Sequence, residues 1–428
     1  DVEEFFLSLK YKESLITRMT EFVSALQAPA GVWPAKDRIC AAIVGSLLRE
    51  IPALRNVEVA RCLSDLPVTT KDDVRSFADR YMNPALANEL LWKKLTTGSS
   101  GLPLQIWYSS AFYYDLLFLA PRKILRRAVS SELPRNKIFC VSVSDNPSMP
   151  NMLFVDPTLD AGVSIQVVVD GSKPASMQAM LELISNLPPV CIASKPSLLE
   201  ITAHLVESSD PKGLGTAHII SSGSALTPAL RARLCGITGG RVIDAYAMTE
   251  FGLIASECSL GNLHVDTSSV FVEVLDEVGR PVAPGVVGEL VLSSDRNEAM
   301  PLMRYQTGDL GTLAYEPCDC GSNSPRIGTL DGRMIKCFKL RDGGLFPPTR
   351  FNDMFVQFPV LREFQITQLD IGVYQIDVEI DEKAQSCDDA LPRVQSYVKG
   401  LIPGIISVSI NQVTFPADSK FQRYRSNL

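Results

Sequence analysis

From about Lys137 onward, short apolar runs alternate with helical stretches, and this alternation constrains the fold more tightly than any other feature. The first run is Ile138 to Val143; Val163 to Val169, Val190-Cys191-Ile192, His218-Ile219-Ile220 and Val242-Ile243 follow it. A helix between consecutive strands is what a parallel crossover needs, so the pattern predicts parallel strands in an α/β sheet. Earlier, Phe5, Leu9 and Tyr11, then Leu15, Ile16, Met19, Phe22 and Val23, recur mostly at helical spacing and predict helix over the first stretch of chain. Thr69-Thr70-Lys71-Asp72-Asp73 puts hydroxyls before acidic first-turn residues, a helix start. After residue 260 the texture turns β-rich. Val270 to Leu275, a turn over Asp276 to Pro281 and then Gly288 to Leu292 predict a hairpin meander or small barrel. Val373 to Ile380 as strand, Ala390 to Val398 as helix and Ile405 to Val413 as strand complete a small α+β unit.

A chain of 428 residues is too long for one compact core, so two or three domains are expected. The boundary is placed near Gly332-Arg333, giving a large body over 1–332 and a small unit over 333–428. Hydrophobic residues make up 46% of the chain, which excludes wholesale disorder. A formal net charge of -7 argues against a general nucleic-acid binder, which needs a basic surface. No uninterrupted apolar run reaches the roughly 18 residues of a membrane span, so no membrane partner is expected. The chain starts at Asp1 without a cationic and then apolar leader, so no signal peptide is expected and the start reads as trimmed. Ten scattered cysteines are not a disulfide scaffold in a chain this long and point to a reducing, cytoplasmic setting.

Leu95-Thr96-Thr97-Gly98-Ser99-Ser100-Gly101-Leu102-Pro103-Leu104 packs four hydroxyls and two glycines into one stretch. Glycines let backbone N–H groups approach phosphate oxygens, and hydroxyls add donors without bulk. It is not a Walker loop, because no Gly-Lys-Ser/Thr follows. Taken alone, it reads equally well as a flexible Ser/Gly turn. The loop resembles the phosphate-binding signature of the adenylate-forming enzymes, which join a carboxylate to AMP, with Leu102 where that signature usually has Lys. The resemblance runs from about Leu66 to Lys420 and is greatest to the phenylacetate–coenzyme A ligase-like branch. Ser222-Gly223-Ser224-Ala225 resembles its adenine-binding stretch. Asp244-Ala245-Tyr246-Ala247-Met248-Thr249-Glu250-Phe251-Gly252 resembles its Tyr-x-x-(Ser/Thr)-Glu motif, and Arg304-Tyr305-Gln306-Thr307-Gly308-Asp309-Leu310 its Arg-Tyr-x-Thr-Gly-Asp-Leu.

The resemblance implies an α/β fold: a large adenylate-forming domain of parallel sheets, helices and a small β-barrel-like region, followed by a small mobile α+β domain. It also implies roles. Thr96, Thr97, Gly98, Ser99, Ser100 and Gly101 would hold phosphate, with Thr249 taking phosphate oxygens as pyrophosphate leaves. Asp244 belongs to the adenine side, and Tyr246 offers a flat face to the ring. Glu250 supplies a hard oxygen to Mg²⁺, and Asp309 accepts hydrogen bonds from the ribose hydroxyls. Arg333 would touch the ribose and Lys336 would sit at the swivel of the small domain. Lys420 resembles the lysine that reaches the site during adenylation, where an ammonium stabilises charge between carboxylate and α-phosphate. Singly, Tyr246 reads as core, Glu250 and Asp309 as solvated caps, and Lys420 as a tail lysine. Four motifs in order outweigh those readings.

Three cysteines associate with a histidine: Cys258 and His264 precede the β-rich meander, and Cys318 and Cys320 follow it. Three thiolates and an imidazole make a closed tetrahedral set for structural zinc, although Cys-x-Cys is tighter than usual spacing. The alternative is reduced core cysteines and a loop histidine. Some members of the branch resemble this chain in carrying such residues at matching places. Arg122-Lys123-Ile124-Leu125-Arg126-Arg127 reads as a solvated helix face in preference to a contact with coenzyme A phosphates. Phe112-Tyr113-Tyr114 and His204 line an acyl pocket or belong to the core. A Ser-His-Asp hydrolase fails for want of a Gly-x-Ser-x-Gly elbow.

The reading is an ATP-dependent ligase that converts a carboxylic acid, aryl or aryl-like, to acyl-AMP and pyrophosphate and then transfers the acyl group. Coenzyme A is the expected acceptor, an amine or carrier-protein thiol the alternative, and a homodimer an allowed assembly. A lapsed, zinc-stabilised binding protein is the reading from another class.

Overall fold

The computed structural model describes residues 51–53, 63–96, 104–129, 138–145, 151–155, 163–171, 173–208, 214–333, 338–342, 345–346, 351, 354–358, 360–380, 389–414 and 424–428. Most of the helical stretch expected over the first seventy or so residues, Phe5 to Val23 included, lies outside these. Lys71–Ser76 is a helix, started as its sequence predicts. The Thr70 hydroxyl accepts from the Asp73 amide at 3.1 Å while the Asp73 carboxylate accepts from the Thr70 amide at 2.9 Å.

Strands β1 (Leu91–Leu95) and β2 (Gln105–Ser109) pair antiparallel, with Lys94 opposite Ile106. A twelve-stranded sheet follows. Its first members are β3 (Ile138–Ser144), β4 (Met152–Val155), β5 (Val163–Val168), β6 (Cys191–Ser194), β7 (His218–Ser222) and β8 (Val242–Met248). Next come β9 (Gly252–Glu257), β10 (Leu263–Val265), β11 (Phe271–Leu275), β12 (Gly288–Ser294), β13 (Leu302–Ala314) and β14 (Arg326–Arg333). The order across the sheet is β11-β12-β13-β14-β10-β9-β8-β7-β6-β3-β5-β4. All five predicted apolar runs are strands, and they pair parallel with one another. Three of the connections contain helices, Pro174–Asn186, Pro196–Ser208 and Pro228–Ile237. Each opens on proline, whose fixed φ and missing N–H suit a first helical turn.

At β9 the pairing turns antiparallel. The β-rich stretch therefore joins the parallel strands edge to edge, and the predicted hairpin is β11 against β12, with Phe271 opposite Ser293. The helical segment Ser110–Tyr114, a π turn Asp115–Leu119 and the helix Ala120–Ala128 run on without a break. Gly252 lets this segment approach β9. It sits at φ +69°, and a Cβ there would meet Leu116 Cδ2 at 2.4 Å.

Arg304 ties the segment before the first helix to β13. Its guanidinium donates to the Ser64 carbonyl at 3.1 Å, the Leu66 carbonyl at 2.7 Å and the Glu273 carboxylate at 3.2 Å. The bonds hold it at φ 45°, a left-handed value that a non-glycine residue adopts at a cost. Thr69 and Tyr305 bridge alongside, so the segment from Ser64 to Thr69 lies against the strand that carries the Arg-Tyr-Gln-Thr-Gly-Asp motif.

The chain divides into two compact units. One takes most of the chain up to Gly328; the other takes Thr329–Leu428 with two short pieces, Thr227–Ala232 and Gly308–Gly311. The second unit contains β15 (Phe338–Lys339), β16 (Leu345–Phe346), β17 (Leu361–Asp370), β18 (Val373–Ile380), β19 (Ser407–Gln412) and β20 (Tyr424–Ser426). Four of these form a sheet in the order β19-β18-β17-β20. The helix Ala390–Leu401 buries Val394 and Val398 in a core shared with Phe364, Tyr374 and Ile376.

Candidate functional site

The parallel strands end on one edge of the sheet, and open α/β sheets bind ligands beyond that edge, where chain leaves the ladder. Two predicted motifs emerge there. Ser222 ends β7, and Gly223, Ser224 and Ala225 follow it exposed, with Gly223 at φ +90°. Ala245 on β8 is the register partner of Ser222, which puts Tyr246 one residue further along the neighbouring strand. Asp244 is bonded through its amide to the Glu257 carboxylate at 2.8 Å. Tyr246 is buried, its hydroxyl 3.6 Å from Met248 Sδ. Thr249 and Glu250 follow the end of β8.

Glu250 is only 5% exposed and Asp309, on β13, only 8%, so neither is a solvated cap. Two phenols bracket the Thr249-Glu250 pair. Tyr305 on β13 donates to the Glu250 carboxylate at 3.0 Å, and Tyr108 on β2 donates to the Thr249 carbonyl at 2.5 Å. Burial, with the nearby Glu250 charge, pushes the Tyr108 phenol well above its usual range, so it remains a donor at physiological pH. Tyr305 was visible only as a motif letter, and Tyr108 only through the inward alternation of a strand bearing Ile106 and Tyr108 on one face. A carboxylate held by one phenol keeps oxygen lone pairs for a cation. Tyr305→Phe is therefore expected to raise the Mg²⁺ concentration needed for half-maximal adenylation by about tenfold, with the fold intact. An unchanged Mg²⁺ titration would count against Glu250 as the cation's ligand.

Thr96 is buried, and its hydroxyl oxygen accepts from the Leu104 amide at 2.9 Å while its amide donates to the Leu104 carbonyl at 2.9 Å. This pair of hydrogen bonds joins the two ends of the hydroxyl-rich loop. Thr97, Gly98, Ser99, Ser100 and Gly101 lie outside the described residues, as do Lys336 and Lys420. Arg333 is the last residue of β14.

The cysteines and histidine converge. Single ligand atoms of Cys258, His264, Cys318 and Cys320 all lie within 4.8 Å of one another. Two matching turns build the set. Gly261 donates to the Cys258 carbonyl at 3.0 Å and Gly321 to the Cys318 carbonyl at 2.9 Å, each glycine at positive φ. The turns aim amides and an amide side chain at sulfur: Leu260 N reaches Cys258 Sγ at 3.4 Å and Asn262 Nδ2 reaches Cys318 Sγ at 3.3 Å. His264 comes from β10, with Nδ1 2.9 Å from the Ser324 carbonyl and Nε2 3.4 Å from Cys320 Sγ. Donation through Nδ1 leaves the Nε2 lone pair facing the thiols, the orientation a ligating imidazole has. Burial lowers the His264 pKa and keeps the ring neutral. The donor set suits zinc and fills a tetrahedral shell.

The basic helix corrects one expectation. Arg122 is 5% exposed and stacks on Phe118 and Phe139, and Lys123 pairs with Asp266 at 3.0 Å. Arg127 donates to the Ser256 hydroxyl at 3.0 Å and the His264 carbonyl at 2.8 Å. This is no solvated face: Lys123 and Arg127 fasten the helix to β9, β10 and the loop beyond, and Arg122 packs on Phe139 of β3. Composition alone hid this, because helical period cannot distinguish a charge facing water from one facing backbone carbonyls. Of the aromatic run, Phe112, Tyr113 and Tyr114 are all buried, while His204 is exposed on its helix.

Residues 154–300 match the family described as AMP-binding enzyme. A phenylacetate–coenzyme A ligase of Thermus thermophilus is 28% identical over 331 residues, covering 75% of this chain and 72% of that protein. One from Pseudomonas putida is 27% identical over 225 residues, half of each chain. Among solved structures, a 2-hydroxyisobutyryl-CoA ligase with its acyl-AMP superposes with a TM-score of 0.71 at 16% identity, covering 93% of this chain and 90% of that one. An anthranilate CoA ligase with anthranoyl-AMP gives 0.54 at 15% identity, covering 76% of this chain and 64% of that one. Residues 154–300 thus match an AMP-binding enzyme domain, the solved neighbours share the fold, and over three quarters of its length the chain resembles the phenylacetate–coenzyme A ligases.

Proposed function

We propose that this chain is an AMP-forming acid–thiol ligase, activating an aryl or aryl-like carboxylic acid with ATP and passing the acyl group to coenzyme A. The observation that carries the reading is the buried Glu250, bracketed with Thr249 by two phenols at the end of β8, the strand paired with the one that ends at Ser222. Bound Mg²⁺ would neutralise the triphosphate and ease departure of pyrophosphate. Glu250 holds that cation, Thr249 takes a phosphate oxygen, Tyr246 and the Ser222 to Ala225 turn receive adenine, and Asp309 holds the ribose. The acid's carboxylate attacks the α-phosphorus, and the bond to pyrophosphate breaks. Lys420 steadies the charge on the oxygens in that step, while Arg333 and Lys336 serve the ribose and the swivel of a small C-terminal domain. The aryl preference is supported by the names of the phenylacetate and anthranilate relatives.

The cysteine–histidine cluster is read as a structural zinc site, because its four ligands leave no open position for substrate. The cytoplasm is the proposed location. No helix among the described residues is long and apolar enough to cross a membrane. The test is incubation with ATP, Mg²⁺ and a panel of aromatic and aliphatic acids, with coenzyme A present or replaced by amines. Aryl-coenzyme A thioester and AMP are expected. Amide formed without coenzyme A would replace the acceptor, and no acid consumed from the panel would sink the reading.

A further inference from the structure

Among the described residues, Lys94 is a buried cation with no carboxylate counter-ion. It lies on β1, is 5% exposed, and faces inward on the same side of the strand as Trp92 and Thr96. Its ammonium donates to the Tyr113 hydroxyl at 2.8 Å and lies 4.3 Å from that ring's centre. Tyr113 in turn is 3.4 Å from the Gln166 amide oxygen on β5, so the phenol proton is directed to Gln166 and the phenol oxygen to Lys94. Among the described residues no carboxylate pairs with Lys94, and two of its three N–H donors have no acceptor. A buried ammonium left in that state is destabilising, a cost that a neutral side chain of similar length avoids. The cost is offset when an anion completes the shell.

The surroundings say which anion. Trp92 and Tyr108 pack against Tyr113, with ring centres 5.4 and 6.0 Å away. Tyr108 is the phenol that holds the Thr249 carbonyl, so one aromatic wall joins Lys94 to the Thr249-Glu250 pair. The hydroxyl-rich loop begins two residues after Lys94 and itself contains no cation, with Leu102 directly after its second glycine. We propose that Lys94, with Tyr113 and Gln166 behind it, is an oxyanion-binding residue of the adenylating site, receiving the carboxylate of the acid or a phosphate of ATP. This deepens the ligase reading and rests on it. Lys94 supplies charge from the strand before the loop, in a place no motif marks.

Burial lowers the Lys94 pKa to about 8 in the free protein. The group facing it is the Tyr113 phenol, which burial raises above its usual value, backed by the uncharged Gln166. Affinity for the anion is thus full below that pKa and falls as pH rises through about 8, because the neutral amine no longer attracts it. The test is calorimetric titration of wild type, Lys94→Met and Lys94→Arg with Mg·ATP and with phenylacetate, from pH 7 to 9. In Lys94→Met, affinity for one probe is expected to drop at least about tenfold at pH 7, with the pH dependence gone and Lys94→Arg retaining part of the binding. A drop for Mg·ATP assigns the phosphate, a drop for phenylacetate the carboxylate. Affinities for both probes within about twofold of wild type in a folded Lys94→Met would overturn the proposal. Should that variant not fold, wild-type binding of both probes that stays flat across the pH range overturns it equally. A wild type that binds neither probe instead overturns the ligase reading and this inference with it.

Discussion

Lys420→Ala is expected to lose acid-dependent pyrophosphate release by about 10²–10³-fold, the usual effect of removing one charged stabiliser from a transition state. Attack on the α-phosphorus draws two sets of anionic oxygens together, and no backbone amide carries the full charge that opposes their repulsion. In the proposed mechanism that charge comes from the Lys420 ammonium, which serves this step and not the next. The second half-reaction has no such convergence of anions, so synthetic acyl-AMP and coenzyme A should still give thioester at close to the wild-type rate. The split between half-reactions separates a catalytic lysine from a tail lysine. Normal pyrophosphate release from Lys420→Ala would remove it from the mechanism.

Loss of the cysteine–histidine site has the largest expected effect on stability. Purified protein is expected to hold about one zinc per chain, and Cys258→Ser to hold well under that. Cys258 follows β9, His264 lies on β10, and Cys318 and Cys320 fall between β13 and β14. A metal there would pin the ends of four strands, β9, β10, β13 and β14, to one another. Removing a ligand exposes the knot to local opening and should cost about 3–5 kcal/mol, in the range of other lost metal sites. Three thiolates around a dication leave a net negative charge, which Arg127 faces through its bonds to Ser256 and the His264 carbonyl. Cys235→Ser, at an exposed cysteine, serves as control and should change neither zinc content nor melting temperature. Metal-free protein with an unchanged melting temperature would refute the structural role.

Much of the large unit was legible in the sequence because parallel strands are buried on both faces and show as plain apolar runs. Ile138 to Val143 and Val163 to Val169 became β3 and β5 nearly residue for residue. β17 was not legible. Its Leu-Arg-Glu-Phe-Gln-Ile-Thr-Gln-Leu-Asp mixes charge and amide with apolar residues, and Gln365 and Gln368 are buried there with the aliphatic ones. A buried glutamine is invisible to an apolar pattern until its partner is known; for Gln368 that is the Lys339 carbonyl at 2.7 Å. The site divides in the same way. Glu250, Tyr246 and the Ser222 to Ala225 turn were marked by motif spacing. Tyr108, Lys94 and Gln166 make their contacts across 19 to 141 residues of chain, contacts that only folding creates. The metal set was marked by residue type despite its tight Cys-x-Cys spacing, because two glycine turns supply the geometry that spacing alone did not.

The central claim is adenylation, and its most direct test is exchange of labelled pyrophosphate into ATP by wild-type protein, with Mg²⁺ and aromatic acids but no coenzyme A. Exchange that depends on the acid, and stops when Glu250 is changed to Gln, is the predicted result. Mg·ATP bound with no acid-dependent exchange from any acid in the panel would contradict it and leave a nucleotide-binding protein on an adenylate-forming fold.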